Sequence, residues 1–143
     1  MLAAHNDVRA NANPAPGTPL APLVWSDALA RQAQAWADRC VYEHSKGEAY
    51  GENMYASGDH DSTAEQAAMS FAREAAFYDY ATNSCAAGKV CGHYTQMVWS
   101  GTKAVGCAVS HCETNSPFPS HPAWDFWVCQ YSPPGNYRGQ KPY

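Results

Sequence analysis

The sequence predicts an α+β domain. Three observations carry that expectation. Apolar residues recur at helical spacing in three segments of the first half. Two strand candidates joined by a long loop close the second half. Six cysteines occur in 143 residues, an even count that points to a disulfide-stapled fold.

The elements follow in order. A first helix is expected over 2–13, with Leu2, His5, Val8 or Arg9, and Ala12 on one stripe. Pro14-Ala15-Pro16-Gly17-Thr18-Pro19 stops it and stiffens the connection. Residues 20–25 read as a short extended piece. Ser26 is an N-cap and Asp27 suits the first turn of a helix running to about Cys40. Its buried face is Leu29, Ala33, Trp36, Ala37 and Cys40. Residues 41–52 read as irregular and hold His44 and Glu52. A short strand is expected over 53–56, and Ser57-Gly58-Asp59-His60-Asp61 is a polar loop.

A third helix starts at Ser62 or Thr63, because Ser62-x-x-Glu65 and Thr63-x-x-Gln66 both fit a capping box. Its stripe is Ala64, Ala68, Phe71, Ala75 and Tyr78, with Glu74 bordering it. Residues 80–92 read as a loop. The run 93–99 fits a short helix or a strand, and periodicity does not decide at that length. Strands over 104–110 and 124–131 form an antiparallel hairpin, joined by a loop over 113–122 rich in Pro, Ser and Asn. Pro133-Pro134-Gly135-Asn136 ends the second strand, and 138–143 is an irregular tail. No internal repeat, low-complexity tract or linker divides the chain, so one domain over 1–143 is expected.

Composition excludes several classes of function. Hydrophobic residues make up 45% of the chain, which rules against disorder. The net charge is -4 with no basic run, so nucleic acid is not the expected partner. No apolar stretch approaches the ~20 residues of a membrane helix. Met1-Leu2-Ala3-Ala4-His5 shows no signal peptide. The cysteines nevertheless point to an oxidising compartment. Cys85-x5-Cys91, Cys107-x4-Cys112 and the lone Cys40 and Cys129 make poor zinc modules. A secreted protein is therefore expected, its signal peptide removed ahead of Met1, acting as a monomer.

Gly92-His93-Tyr94-Thr95-Gln96-Met97-Val98-Trp99 sets His93 at the head of an apolar run just after Cys91. His44, Glu52 and Glu74 are its candidate partners. Two neutral imidazoles suit a borderline divalent metal such as zinc. Two His, one carboxylate and an open position would outline a catalytic zinc site. Such an ion lowers the pKa of bound water to about 7, leaving the second Glu as base. The other reading is a charge-balanced polar cluster that holds layers together. His5, Asn6 and Arg9 read as a helix-end hydrogen-bonding unit. His60, His111 and His121 read as solvated, and strand alternation explains Cys107-x4-Cys112 with His111 better than a metal box. Trp25, Trp36, Trp99, Trp124 and Trp127 are core by default.

Five stretches in order resemble the CAP superfamily, the cysteine-rich secretory, antigen 5 and pathogenesis-related 1-like proteins that share the SCP domain. They are His5-Asn6-x-x-Arg9, Cys40-x-x-x-His44-Ser45, Gly51-Glu52-Asn53-Met54, the Gly92 stretch above, and Trp127-Val128-Cys129-Gln130-Tyr131-Ser132-Pro133-x-Gly135-Asn136-Tyr137. The ending Gly-Gln-Lys-Pro-Tyr is similar to plant members. The resemblance implies a three-layer α-β-α sandwich, with a three-stranded antiparallel sheet and about four helices. It makes the run from His93 a short helix.

It also maps a four-residue cleft onto His44, Glu52, Glu74 and His93, with a divalent metal on His44 and His93. Phe71 stands where the family usually has Trp three residues before the Glu. By analogy with plant members the disulfides are Cys40–Cys112, Cys85–Cys91 and Cys107–Cys129. The function implied is binding of a lipid, sterol or fatty acid, or of an extracellular protein partner, in defence or host interaction. The sterol loop of some members is long and aromatic. Here that region is short, with Phe77, Tyr78 and Tyr80 bunched at one end, which leaves a helix-lined fatty-acid groove open. A metal-dependent hydrolase or protease using the cleft is the alternative, and a disulfide-stabilised interaction scaffold is the second. Catalysis is not expected, because no Ser or Cys nucleophile stands beside an obvious base. Channel blocking is not expected either, since no second cysteine-rich module follows.

Overall fold

The computed structural model describes residues 1–143 other than Glu48 and Asp59. The readings of 41–52 as irregular and of 57–61 as a polar loop fall, at those two positions, outside the described residues. The elements are α1 (Leu2–Ala10), β1 (Val24–Trp25), α2 (Asp27–Ala37), β2 (Gly51–Ser57), α3 (Ala64–Ala72), a 3-10 turn (Arg73–Phe77), β3 (Tyr78–Asp79), β4 (Ser84–Cys85), α4 (Gly92–Met97), β5 (Ala104–Cys112) and β6 (Trp124–Ser132).

Local chemistry sets most helix ends. Ser26 Oγ accepts the Leu29 N–H at 3.3 Å and starts α2. Of the two possible capping boxes, Thr63 with Gln66 forms, at 2.6 and 3.2 Å. Ser62 instead gives its N–H and its hydroxyl to Asp125 Oδ2. Helix α1 stops at Ala10, short of the expected 13, where Asn11 Nδ2 donates to the Asp7 carbonyl at 2.8 Å. Helix α2 stops at Ala37, and Cys40 lies beyond it with φ of 50°. The expected third helix also ends early. After Ala72 the chain tightens into the 3-10 turn, then Tyr78 and Asp79 pair with Cys85 and Ser84. That pairing draws Tyr78 off the helical stripe into a strand.

Among the described residues the main sheet has four strands in the order β1-β5-β6-β2. Three are the antiparallel strands expected. The fourth is the end of the 20–25 piece, which pairs parallel to β5 through Val24 with Ala104 and Trp25 with Val105. Trp25 is thereby left at the sheet edge, 41% exposed, outside the core expected for it. Strand β6 lies between β5 and β2 and is buried from Trp124 through Tyr131. A strand buried on both faces must be covered on both. Trp124, Phe126 and Val128 join Ala33 and Ala37 of α2, while Cys129 and Tyr131 join Phe71 and Met97. This is the α-β-α layering. At Gly106 of β5 a Cβ would run into the Ala30 nitrogen and the Ser26 carbonyl oxygen, so glycine is what lets α2 lie on the sheet.

The three disulfides are those implied by the resemblance: Cys40–Cys112, Cys85–Cys91 and Cys107–Cys129. Cys107 and Cys129 face each other in register across β5 and β6. Helix α1 is fastened by the three residues read as a helix-end unit, and they reach much further than a helix end. Asn6 pairs with both backbone groups of Leu23, at 3.1 and 2.7 Å. Arg9, 2% exposed, donates to the carbonyls of Ala21, Met97 and Trp99. His5 donates from Nδ1 to the Met1 carbonyl and accepts the Tyr131 hydroxyl at Nε2, at 2.8 Å.

Candidate functional site

The 3-10 turn carries Glu74 beneath the N-terminus of α4. Glu74 Oε2 accepts the N–H groups of His93 and Tyr94 at 2.9 and 3.1 Å. These are donors that the first turn of a helix leaves unpaired. Oε1 takes the His93 Nδ1–H at 2.6 Å. One carboxylate therefore caps the helix and orients the imidazole. The ring also stacks on Phe71, with centroids 5.2 Å apart and planes at 25°. Phenylalanine thus supplies an aromatic platform where the family usually has Trp.

His44 and Glu52 form a second pair of the same kind. Glu52 Oε1 accepts the His44 Nδ1–H and the Ser45 N–H, both at 2.9 Å. Its Oε2 accepts from Gln130, its register partner on β6, at 3.1 Å. The His44 side chain is 59% exposed and that of Glu52 only 6%. The hydrogen bond to Glu52 raises the His44 pKa above its ordinary value, against the opposing effect of partial burial. Burial alone would raise the Glu52 pKa. The hydrogen bonds from His44, Ser45 and Gln130 together outweigh it and hold Glu52 below the usual carboxylate range.

His44, Glu52 and His93 line one cleft of about 200 Å³ with Asn53, Val90, Gly92 and Asn136. Glu74 stands behind His93 and outside the lining. Each imidazole has its Nδ1 engaged by a carboxylate, which leaves Nε2 with the lone pair in the neutral ring. Carboxylates stand behind metal-ligating histidines in the same way, fixing the tautomer and the ring. Two imidazoles held in this way on one cleft are the donor type that would suit a divalent ion. Among the described residues no group of three or more His, Cys, Asp and Glu side chains forms a closed set of ligands.

Sequence reasoning had no role for several residues that build this cleft. Asn53 Nδ2 donates to the His93 carbonyl and to the Tyr131 hydroxyl, both at 3.0 Å. Asn136, at φ of 58°, donates to the Gly92 carbonyl at 2.8 Å and accepts from Thr95 at 2.7 Å. Both lie inside the motifs that carry the resemblance. The presence of each was legible, and its bonding was not.

A second concavity, of about 560 Å³, runs between α1 and α3. Ala4, Val8, Met69, Ala72, Ala75, Ala76 and Tyr94 give it an apolar lining, and Asp7, Asn11, Asn13 and Glu65 give it polar atoms. Tyr94 follows His93 directly, so α4 presents one residue to each site. The region between Phe77 and Cys91 contributes Tyr78, Asn83, Ser84 and Cys85 to a separate, smaller concavity of about 320 Å³, which Trp99 and Tyr137 also line. Tyr80 stacks on Tyr143 at 4.7 Å and Lys89 lies over the Phe77 ring at 4.7 Å.

Among the described residues no helix is long and apolar enough to cross a membrane. The profile of the cysteine-rich secretory protein (CAP) family matches residues 2–131. Pathogenesis-related protein 1A of Nicotiana tabacum is 40% identical over 146 residues, covering 99% of this chain and 78% of that protein. Peptidase inhibitor 16 of Mus musculus is 38% identical over 144 residues, and there the chain spans only 28% of the relative's length. NaASP2, solved with Zn2+, superposes with a TM-score of 0.72 at 25% identity, covering 99% of this chain and 82% of that one. The chain belongs to the cysteine-rich secretory protein (CAP) family.

Proposed function

We propose that the protein acts outside the cell as a binder of single-chain lipids, in a defence or host-interaction setting, which the name of the pathogenesis-related tobacco relative supports. The α1–α3 groove carries this reading. Its volume of about 560 Å³ falls within the range of ligand sites. Four alanines in its lining, Ala4, Ala72, Ala75 and Ala76, leave room where larger side chains would close it. A flexible acyl chain suits a trough between helices better than a rigid sterol does. Phe77 is engaged by Lys89 and Tyr80 by Tyr143, which argues the same way. Asp7 and Glu65 line the groove and no Lys or Arg does among the described residues. An uncharged head group is therefore favoured over a carboxylate anion.

The test is saturable binding of a fluorescent fatty alcohol and of the matching fatty acid at neutral pH. The alcohol is expected to bind more tightly. Ala76→Trp, at an exposed position that lines the groove, is expected to weaken binding at least tenfold. His44→Ala with His93→Ala is expected to leave it unchanged. Equal binding by wild type and Ala76→Trp would refute the groove. No saturable binding at all would favour the interaction scaffold.

The cleft would hold a divalent ion on His44 and His93, and zinc suits imidazole donors. The zinc in NaASP2 supports this choice. The ion would supply an electropositive centre, and the chain's own groups hold both rings in the tautomer that binds it. Both carboxylates are committed to those rings, and every cysteine is in a disulfide. With both carboxylates so engaged, no uncommitted carboxylate among the described cleft residues is left to act as general base, which supports a non-hydrolytic reading. Metal binding requires neutral imidazole. Because the His44 pKa is raised, zinc affinity should fall on acidification at a higher pH than an ordinary histidine dictates. Zinc titration by calorimetry from pH 8 to 6 reads this directly. A flat profile down to pH 6.5 would contradict it.

A further inference from the structure

We propose that His60 and His111 form a second site for a late first-row divalent ion, sharing no residue with the cleft and independent of it. His111 lies on β5 directly opposite Asp125 of β6. Its Nδ1–H donates to Asp125 Oδ1 at 2.5 Å. Asp125 is 0% exposed, and its other oxygen is held by the N–H and hydroxyl of Ser62, at 3.2 and 2.5 Å. A buried carboxylate fixed in this way locks the tautomer of His111 and leaves the lone pair on Nε2. It also makes the imidazole a stronger donor, as carboxylates do behind metal-bound histidines.

The ring of His60 stands 5.5 Å from that of His111, centroid to centroid, at an interplanar angle of 47°. An ion ~2.0–2.1 Å from one nitrogen of each of two imidazoles puts their centroids roughly 5 Å apart at a tetrahedral angle. The observed centroid spacing is close to that value. Burial does not explain the pairing, because the His111 side chain is 60% exposed and His60 is exposed as well. An open depression lined by Gly58, His60, Asp61 and Ala123 reaches His60 from solvent. Asp61 adds negative charge there, which favours a cation over an anion.

Imidazole donors select Zn2+, Ni2+ and Cu2+ among divalent ions, with Cu2+ the most tightly held. Neither histidine belongs to the motifs that carry the family resemblance. Bound there, the ion would tie the segment before α3 to the β5–β6 hairpin and stabilise that junction by mass action.

The experiment uses the whole chain with the cleft silenced by His44→Ala and His93→Ala, titrated with Cu2+ in equilibrium dialysis. One equivalent is expected to bind, with electron paramagnetic resonance showing imidazole nitrogen coordination. Adding His60→Ala or His111→Ala is expected to weaken that binding at least tenfold. Asp125→Asn, confirmed folded by circular dichroism, is expected to weaken it ~10–100-fold while both imidazoles remain. His60 is exposed, so His60→Ala tests the site without loading the fold. Absence of a copper equivalent in the cleft-silenced protein would overturn the proposal. So would a copper equivalent that His60→Ala and His111→Ala leave unchanged.

Discussion

Replacing Cys40 and Cys112 together by alanine is expected to lower the unfolding free energy by roughly 4 kcal/mol. The bridge joins residues 72 apart in sequence and removes a large loop entropy from the unfolded chain. It also fastens the exit of α2 to the last residue of β5. Cys112 is 1% exposed in the cluster with Trp124, Phe126 and Val128. Cys85–Cys91 closes a separation of only 6 residues, and its loss should cost roughly half as much. The two double variants therefore separate global from local roles. Guanidinium unfolding at pH 7 should rank the Cys40/Cys112 variant below the Cys85/Cys91 variant. The latter should instead weaken zinc binding, because Cys91 is the residue from which α4 presents His93. The reverse stability order would contradict the assignment.

Acid should unlock α1 through His5. Burial lowers the pKa of this imidazole from its ordinary 6.5 to about 4, with the Met1 carbonyl pulling the other way. Between those values the unfolded chain takes up a proton that the folded chain refuses. Stability is therefore complete above pH 6.5 and declines as pH falls toward 4. The loss reaches roughly 3 kcal/mol, since a one-proton difference costs ~1.4 kcal/mol for each pH unit crossed.

The hydrogen bonds around His5 explain the refusal. Asn53 donates to the Tyr131 hydroxyl, and that hydroxyl donates to His5 Nε2. A protonated ring would present a donor to a donor. The His44–Glu52 pair moves differently. The contribution of His44, whose pKa is raised, is fully present below 6.5 and lost as pH rises. That of Glu52, whose pKa is lowered, is present above 4.5 and lost as pH falls. The fall between pH 6.5 and 4.5 is thus the signature of His5. Urea midpoints at pH 7 and 4.5 should differ strongly for wild type and little for His5→Gln, which starts lower at pH 7. Parallel profiles for the two proteins would rule out His5 as the sensor.

Features fixed by neighbours in sequence were legible. Ser26 and Thr63 with Gln66 act as caps because capping is local chemistry. Strands β5 and β6 follow from apolar runs bounded by turn residues. The cleft residues and the disulfides came from the family resemblance, which no spacing argument replaces. Features made by distant pairing were hidden. The edge strand Val24–Trp25 exists only because Lys103 to Val105 lie alongside it. The 3-10 turn that places Glu74 depends on Tyr78 meeting Cys85. The groove is a shape left by small side chains, and alanines such as Ala72 and Ala76 carry no signal of what is missing beside them. His60 and His111 are exposed, as read from the sequence, but the carboxylate behind His111 was hidden because it comes from the next strand.

Whether a single-chain lipid lies between α1 and α3 is tested most directly by photo-crosslinking with a diazirine-bearing fatty alcohol, followed by peptide mapping. Saturable adducts are expected within 4–13 and 65–76, competed by unlabelled alcohol and lost in Ala76→Trp. Adducts confined to the cleft around His44 and His93, or labelling that excess competitor does not reduce, would contradict lipid binding in the groove.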